Sequence, residues 1–461
     1  MSYKLGSLFD GSGGFPLAGT LCGIEPVWAA EIEPYPIAVT RSRFPNMKHL
    51  GDISKINGAE IEPVDIITFG SPCQDLSMAG KRAGLKHEAN GDEETTRSGL
   101  FMEAVRIIKE MRRATNGKYP RYALWENVPG AFSSNKGEDF KIVLEELIQI
   151  VEPSAVMPSV PQKGWSYADS YIGDGWSIAY RVFDAQYWGV PQRRRRIYLV
   201  TDFRGGSARK VLFEREGLQG YFTQGRTPWQ GASSNAQEGA GANDSKRECL
   251  IYTRGFGGHI KPDGATPTLE ARAGTGGNNQ PIVAYGISAY ESNAMKSSNP
   301  HSGIYKAATS RTLDLNCGNP ACNQGGIAIV EPETSLESSN QEDVRCENPA
   351  IAALMSRYIV RRLTPTECAR LQGFADWHGH LEKKKQLTGE ECRFWMNVRN
   401  THAAITGKKV GTYTRKQMLA WYNKLWTDSA EYKMWGNGIA LPTALYVMQG
   451  IAEALAVQEE E

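Results

Sequence analysis

A cysteine, a glutamate and two arginines define the chemistry open to this chain. Cys73 follows the apolar run Val64–Phe69 by way of Gly70, Ser71 and Pro72. A thiol on a proline-stiffened turn, at the carboxyl end of a strand, stands where open α/β sheets gather their ligands. As a thiolate it is a nucleophile; the alternative for a lone cysteine is a small buried apolar residue. Glu126 closes a second strand-like run, Arg121–Trp125, and is followed by Asn127. Four consecutive arginines, Arg193 to Arg196, lead into Ile197–Val200. Alternation along a strand sends Arg194 and Arg196 to one face and Arg193 and Arg195 to the other. One pair can then face a site while the other meets phosphate or solvent.

The elements that must position these groups begin at the first residues. Tyr3–Phe9 reads as a strand and runs into Asp10-Gly-Ser-Gly-Gly14. Glycines there allow a sharp turn and a close approach of backbone to ligand; a plain strand-to-helix turn is the other reading. Pro26–Ala30 is a second strand with Glu31 at its end. An acidic side chain about 20 residues past such glycines is where a ribose hydroxyl pair is held, although Glu31 could equally cap a helix start. A third short strand near Met47–Leu50 leads to Asp52, an acceptor for an adenine amino group or a helix N-cap. Three strand ends each offering one ligand group weigh more than any one alone.

The totals bound the rest. With 461 residues the chain exceeds one ordinary domain. Its 41% hydrophobic and 22% charged content is that of a soluble globular protein, and a net charge of +1 leaves nucleic-acid binding to local clusters. No apolar run is long enough to span a bilayer and Met1–Leu5 does not read as a signal peptide, so a cytoplasmic location is expected. Eight scattered cysteines without a Cys-x-x-Cys pair, and seven histidines without ligand spacing, argue against a metal site or a disulfide framework. Leu100–Met111 and Lys141–Ile150 have helical periodicity, and 152–175 reads as an excursion from the core. Thr364, Pro365 and Glu367 spell a capping box.

Six segments, in order, resemble the cytosine-C5 DNA methyltransferases of bacteria and their phages. They are Phe9-Asp-Gly-Ser-Gly-Gly14, Gly70-Ser-Pro-Cys-Gln74, Glu126-Asn-Val128, Gln192-Arg-Arg-Arg-Arg196, Arg362-Leu-Thr-Pro-Thr-Glu-Cys-Ala-Arg-Leu-Gln-Gly-Phe374 and Gly436-Asn-Gly-Ile-Ala-Leu-Pro442. The resemblance implies a Rossmann-like α/β lobe with a mixed, mostly parallel sheet, and a smaller, irregular β-rich target-recognition lobe. It places the catalytic and cofactor-binding lobe at 1–204 and target recognition at 205–355. Residues 356–461 return to the first lobe, with a helical insert at about 380–434 that the motifs do not cover.

The resemblance also assigns roles. Cys73, on the turn fixed by Pro72, would add to carbon 6 of cytosine and make carbon 5 nucleophilic. Glu126 would hold or donate a proton at N3, which calls for a desolvated pocket or a pKa-raising neighbour. Asn127 would orient the loop, and Arg194 and Arg196 would bind the cytosine carbonyl and support Glu126 and Cys73. S-adenosyl-L-methionine would be the donor, lined by Phe9, Gly11, Gly13 and Gly14, with Glu31 at its ribose, Asp52 at its adenine and Asn437 completing the pocket. The target base must be flipped from double-stranded DNA, and the loop Gly80–Gly99, with its acidic insert Asp92-Glu-Glu94, would close over it. In the middle lobe a weak repeat (Thr266–Val283 and Ser310–Val330) offers Arg254, Arg272, Asn278, Asn279, Gln280, Arg311, Asn316 and Gln324 as base-reading candidates.

Partners implied are duplex DNA and a cognate restriction endonuclease acting on the same site; no membrane and no metal are expected, and the chain is expected to be monomeric. The alternatives are a tRNA cytosine-C5 methyltransferase on the same catalytic lobe, against which the long 205–355 segment argues, and a catalytically silent DNA-binding relative. A dehydrogenase is disfavoured by the Gly-x-Gly-Gly spacing and the Pro-Cys turn.

Overall fold

The computed structural model describes residues 2–71, 99–213 and 363–457, with four short backbone strands at 285–287, 304–306, 329–332 and 358–361. Eight strands form the central sheet: β1 (Lys4–Leu8), β2 (Glu25–Ala30), β3 (Lys48–His49), β4 (Ile66–Phe69), β5 (Tyr122–Asn127), β6 (Ala168–Gly173), β7 (Trp176–Asp184) and β8 (Arg195–Asp202). Their order is β3-β2-β1-β4-β5-β8-β7-β6. The β1–β2, β2–β3, β1–β4 and β4–β5 pairs are parallel, and β5–β8, β8–β7 and β7–β6 are antiparallel. The chain order reverses on either side of β1, which makes the carboxyl ends of β1, β2 and β4 a ligand-binding crevice.

The strands at the centre are buried on both faces, as their unbroken apolar runs require. Ile66, Tyr122, Leu124, Tyr198 and Val200 enter one hydrophobic layer. Their neighbours Ile67, Ala123, Trp125, Ile197 and Leu199 enter the other. The first layer is covered by α1 (Gly14–Leu21) and the C-terminal helix, the second by α3 (Leu100–Ala114) and α4 (Glu138–Ile148). Between them in sequence, α2 (Pro34–Arg43) follows β2. The stretch 152–175, expected as an excursion, instead supplies β6 at the sheet edge. Just before it Trp165 is anchored on α4, with its indole donating to the Gly137 carbonyl at 2.8 Å and its ring edge-on to Phe140.

After α5 (Ala208–Leu212) the remaining described helices are α6 (Pro365–Leu371), α7 (Gly389–Ile405), α8 (Arg415–Tyr422), α9 (Asp428–Asn437) and α10 (Leu441–Val457). The Thr364–Glu367 capping box forms, and Thr388–Glu391 and Thr414–Gln417 repeat it at α7 and α8. Helix α10 packs on α1, so the last residues of the fold rest against the first helix. The segment around 379–434 docks on α2 and its first turn. Lys433 and His402 meet Glu33 at 2.7 and 3.6 Å, Tyr35 donates to the Gly379 carbonyl, and Arg41 lies 4.0 Å over the Phe394 ring. Among the described residues no single helix is long and apolar enough to cross a membrane.

The short strands pair as β9 (Tyr285–Ile287) with β10 (Ile304–Lys306) and β11 (Ile329–Pro332) with β12 (Tyr358–Arg361), both antiparallel. The eight base-reading candidates, Pro72, Cys73 and the Gly80–Gly99 loop up to residue 98 lie outside the described residues.

Candidate active site

Strands β4 and β5 run parallel in register, Phe69 beside Trp125, and carry their ends to the same point. Ser71, the last described residue before Pro72 and Cys73, is held there from β5. The Asn127 amide donates to its carbonyl at 3.0 Å and the Trp125 indole to its hydroxyl at 3.1 Å. The Asn127 carbonyl accepts from the Val128 amide at 2.8 Å, so its side chain bridges the two strand ends. Glu126 lies in β5 rather than beyond it and is buried. A side chain built on Gly70 would approach its Oε2 to 3.3 Å, which places the carboxylate against the turn that leads to Cys73.

The arginine run alternates as strand geometry demands: Arg194 and Arg196 are buried, Arg193 and Arg195 exposed. Arg196 sits with Nε 3.0 Å from Glu126 Oε1, an ion pair without the alignment of a hydrogen bond. Glu126 thus has a desolvated pocket, and its charged neighbour is a cation. Arg194 feels the Glu126 carboxylate through space, but its hydrogen bond goes elsewhere. It stands one residue before β8 begins and turns to the loop after α9, where its guanidinium donates to the Gly438 carbonyl. Its Nε and Nη1 are buried without partners among the described residues. Burial, then the neighbouring Arg196, lowers its pKa to about 9.

The glycine loop turns through three alternate tight positions. Phe9 and Gly11 take left-handed φ values of 56° and 55°, and Gly13 one of 75°. The glycines serve different needs. A Cβ on Gly11 would meet nothing closer than 3.9 Å, leaving open space above the backbone. One on Gly13 would come within 2.8 Å of Thr40, and one on Gly14 within 2.5 Å of Ile439. Those two positions are glycine because α2 and the closing loop pack against them. Phe9 is half-buried beside the loop.

Glu31 is tied into this loop. Its Oε2 accepts from the Gly11 amide at 2.8 Å, and its Oε1 from the amides of Ile32 and Glu33 at 2.7 and 2.9 Å. Burial raises its pKa against the pull of those three donors. Asp52 caps the short turn Ile53–Lys55, with one oxygen accepting from the Ser54 amide and hydroxyl, as the capping reading of this residue expects. Asn437 is the exposed last residue of α9, and the contact with the glycine loop is made by its neighbours. Ile439 covers Gly14, and a Cβ on Gly438 would stand 3.0 Å from the Ser12 hydroxyl.

Two buried residues here were not singled out from sequence. Asp10 accepts from the Ser7 hydroxyl at 2.7 Å, its second oxygen has no partner among the described residues, and burial pushes its pKa up to about 8. His378, lowered to about 4 by burial, donates from Nε2 to the Ser12 carbonyl at 2.7 Å. A turn-like aspartate and a lone distant histidine carry no spacing signal of their own. The orphaned Asp10 oxygen and Ser12 hydroxyl, the open space above Gly11 and the acidic Glu31 suit a zwitterionic nucleoside ligand.

The family model described as C-5 cytosine-specific DNA methylase matches residues 3–151 and 167–390. A relative from Escherichia phage P1 named DNA N-6-adenine-methyltransferase is 28% identical over 99% of this chain and 62% of its own length. The type II methyltransferases M.BsuFI of Bacillus subtilis (31%) and M.MspI of Moraxella sp (30%) align over 42% and 43% of this chain, and over 37% and 38% of their own. The chain therefore spans less than two thirds of each of these relatives. A crystal structure of S. pombe Dnmt2 methyltransferase superposes with a TM-score of 0.49 at 15% identity, covering 98% of this chain and 99% of that one.

Proposed function

Since the chain belongs to the C-5 cytosine-specific DNA methylase family, we propose that it transfers a methyl group from S-adenosyl-L-methionine to carbon 5 of cytosine in duplex DNA, with Cys73 as the nucleophile. The observation that carries this reading is the buried Glu126 carboxylate, paired with Arg196 and pressed against Gly70, three residues ahead of the cysteine. S-adenosyl-L-methionine would supply an electrophilic methyl group; Gly11, Glu31 and Asp52 would hold it.

The protein's residues then have these tasks. Cys73 adds as thiolate to carbon 6 of a flipped cytosine, which gives carbon 5 the electron density to accept the methyl group; loss of the carbon-5 proton to a base or water then expels the Cys73 thiolate and restores the ring. Glu126 sits at the ring's N3 and relieves charge that develops there, while Arg196 fixes its orientation. Asn127 and Trp125 fix Ser71 and so the start of the turn that carries the thiol. Arg194 clamps the closing loop at Gly438 onto the site, leaving two guanidinium nitrogens to meet the substrate. Domain roles follow the same reading: 1–204 and 356–461 for catalysis, 205–355 for target recognition.

The phage relative's name points to adenine N6 instead. An exocyclic amine can attack the donor directly and has no use for a covalent thiol, so the Cys73 turn beside Glu126 favours carbon 5 of cytosine. The deciding experiment is base-resolution mapping of methylated bases in genomic DNA and tRNA. The host lacks cytosine methylation and expresses either the intact chain or Cys73→Ala. A short DNA motif bearing 5-methylcytosine only with the intact chain is the expected result. Methylation confined to tRNA, or to adenine, would overturn the reading. So would no methylation from a folded protein.

A further inference from the structure

The crevice at the carboxyl ends of β2 and β3 is not made by the sheet alone. Glu31, His49 and Gly51 form one side, and α7 forms the other through Phe394, Asn397 and Thr401. The family match ends at residue 390, at the first turn of α7. Helix α7 thus lies almost wholly outside the matched residues, between the fifth and sixth family-like segments.

Three features make the wall a binding surface. Both ring nitrogens of His49 are buried and lack hydrogen-bond partners among the described residues. Burial lowers the His49 pKa to about 4, so the ring is neutral and presents one donor and one acceptor. A polar edge buried in that state is costly until something pairs with it. Phe394 offers an aromatic surface held in place by the Arg41 guanidinium above it and the His49 ring at its edge, 6.2 Å away. The helix is also fixed: Glu33, two residues beyond Glu31, meets His402 of α7 and Lys433 of α9.

We propose that α7 completes the adenosine half of the methyl-donor site. In this arrangement the purine nucleoside enters between Glu31 and α7, Phe394 borders its ring, and Asn397, Thr401 and His49 pair with its polar edge. The inference rests on the methyltransferase reading and deepens it, giving the 380–434 insert a part in donor recognition.

The test is calorimetric titration of the full chain with S-adenosylhomocysteine, which shares the adenosyl group and cannot react. Four proteins are compared: wild type, Glu31→Ala, Asn397→Ala and the double variant Asn397→Ala/Thr401→Val. Losing these polar contacts should weaken binding about tenfold, with the melting temperature and the affinity for a DNA duplex unchanged. Asn397 is exposed on its helix, so the single variant decides the matter if the double variant folds poorly. Wild-type affinity in both variants, alongside a clear loss in Glu31→Ala, would overturn the role of α7 alone. No binding to the wild type would overturn the donor reading itself.

Discussion

The side-chain amide of Asn127 donates to the carbonyl oxygen of Ser71 at 3.0 Å, across the ends of two adjacent parallel strands. Only Pro72 separates that carbonyl from Cys73, the proposed nucleophile. The bond therefore sets where the turn begins. Asn127→Asp keeps the acceptor for the Val128 amide but faces the Ser71 carbonyl with an oxygen. We expect single-turnover methylation to slow about 100-fold, the loss typical of a reacting group displaced by an ångström, with donor affinity intact. Equal rates for the variant and the parent would show that the turn is set elsewhere.

Glu126 and Arg196 test whether their pairing serves chemistry or the fold. Both side chains are only 10% exposed. Arg196→Ala strands a buried carboxylate and should cost about 3–5 kcal/mol of stability. Replacing both residues, as Glu126→Leu/Arg196→Met, should recover most of that loss in urea unfolding, because no charge is left unpaired. Methylation should stay absent in the double variant. A double variant as unstable as Arg196→Ala, or one that methylates DNA, would break this assignment.

Much of the fold and part of the site was legible because it depends on short-range pattern. Period-two alternation in the arginine run gave the right inward pair, Arg194 and Arg196. The Thr364–Glu367 capping box and the acidic residues at the ends of β2 and β5 are equally local. What was not legible depends on contacts distant in sequence. Arg194 bonds to Gly438, 244 residues away, and Lys433 to Glu33, 400 away. Nothing in a local window distinguishes those partners from solvated charges. Gly13 and Gly14 read as ligand-contacting glycines, but the space beside them is filled by Thr40 and Ile439. The 152–175 stretch is rich in proline and serine, which hid the edge strand β6 and the Trp165 anchor.

The Glu33 cluster gives the docking of the insert a pH signature. Burial works against the Glu33 carboxylate, but the contacts from His402 and Lys433 outweigh it and hold its pKa down at about 2, below the usual 4.5. A depressed carboxyl stabilises the fold above its unfolded value, and that contribution fades as pH falls towards its folded value. The stability gap between wild type and Glu33→Gln should thus be full above pH 5 and shrink steadily from there towards pH 2. Urea unfolding of both proteins at stepped pH reads it directly. A gap unchanged between pH 6 and pH 3 would mean that the cluster does not tie the insert to the start of α2.

Asp10 carries the opposite sign. Burial raises its pKa from 3.8 to about 8, with only the Ser7 hydroxyl favouring the ionised form. The folded protein therefore holds this proton more tightly than the unfolded chain. The associated stability is complete below pH 3.8 and is lost as pH rises through about 8. Asp10→Asn keeps an oxygen for Ser7 and removes the ionisation. It should match the wild type in acid, gain on it steadily up to about pH 8, and hold a constant advantage beyond. Unfolding free energies from pH 5 to pH 9 would show this widening difference. Parallel curves would place the Asp10 carboxyl in its ordinary range and remove it as a neutral group at the glycine loop.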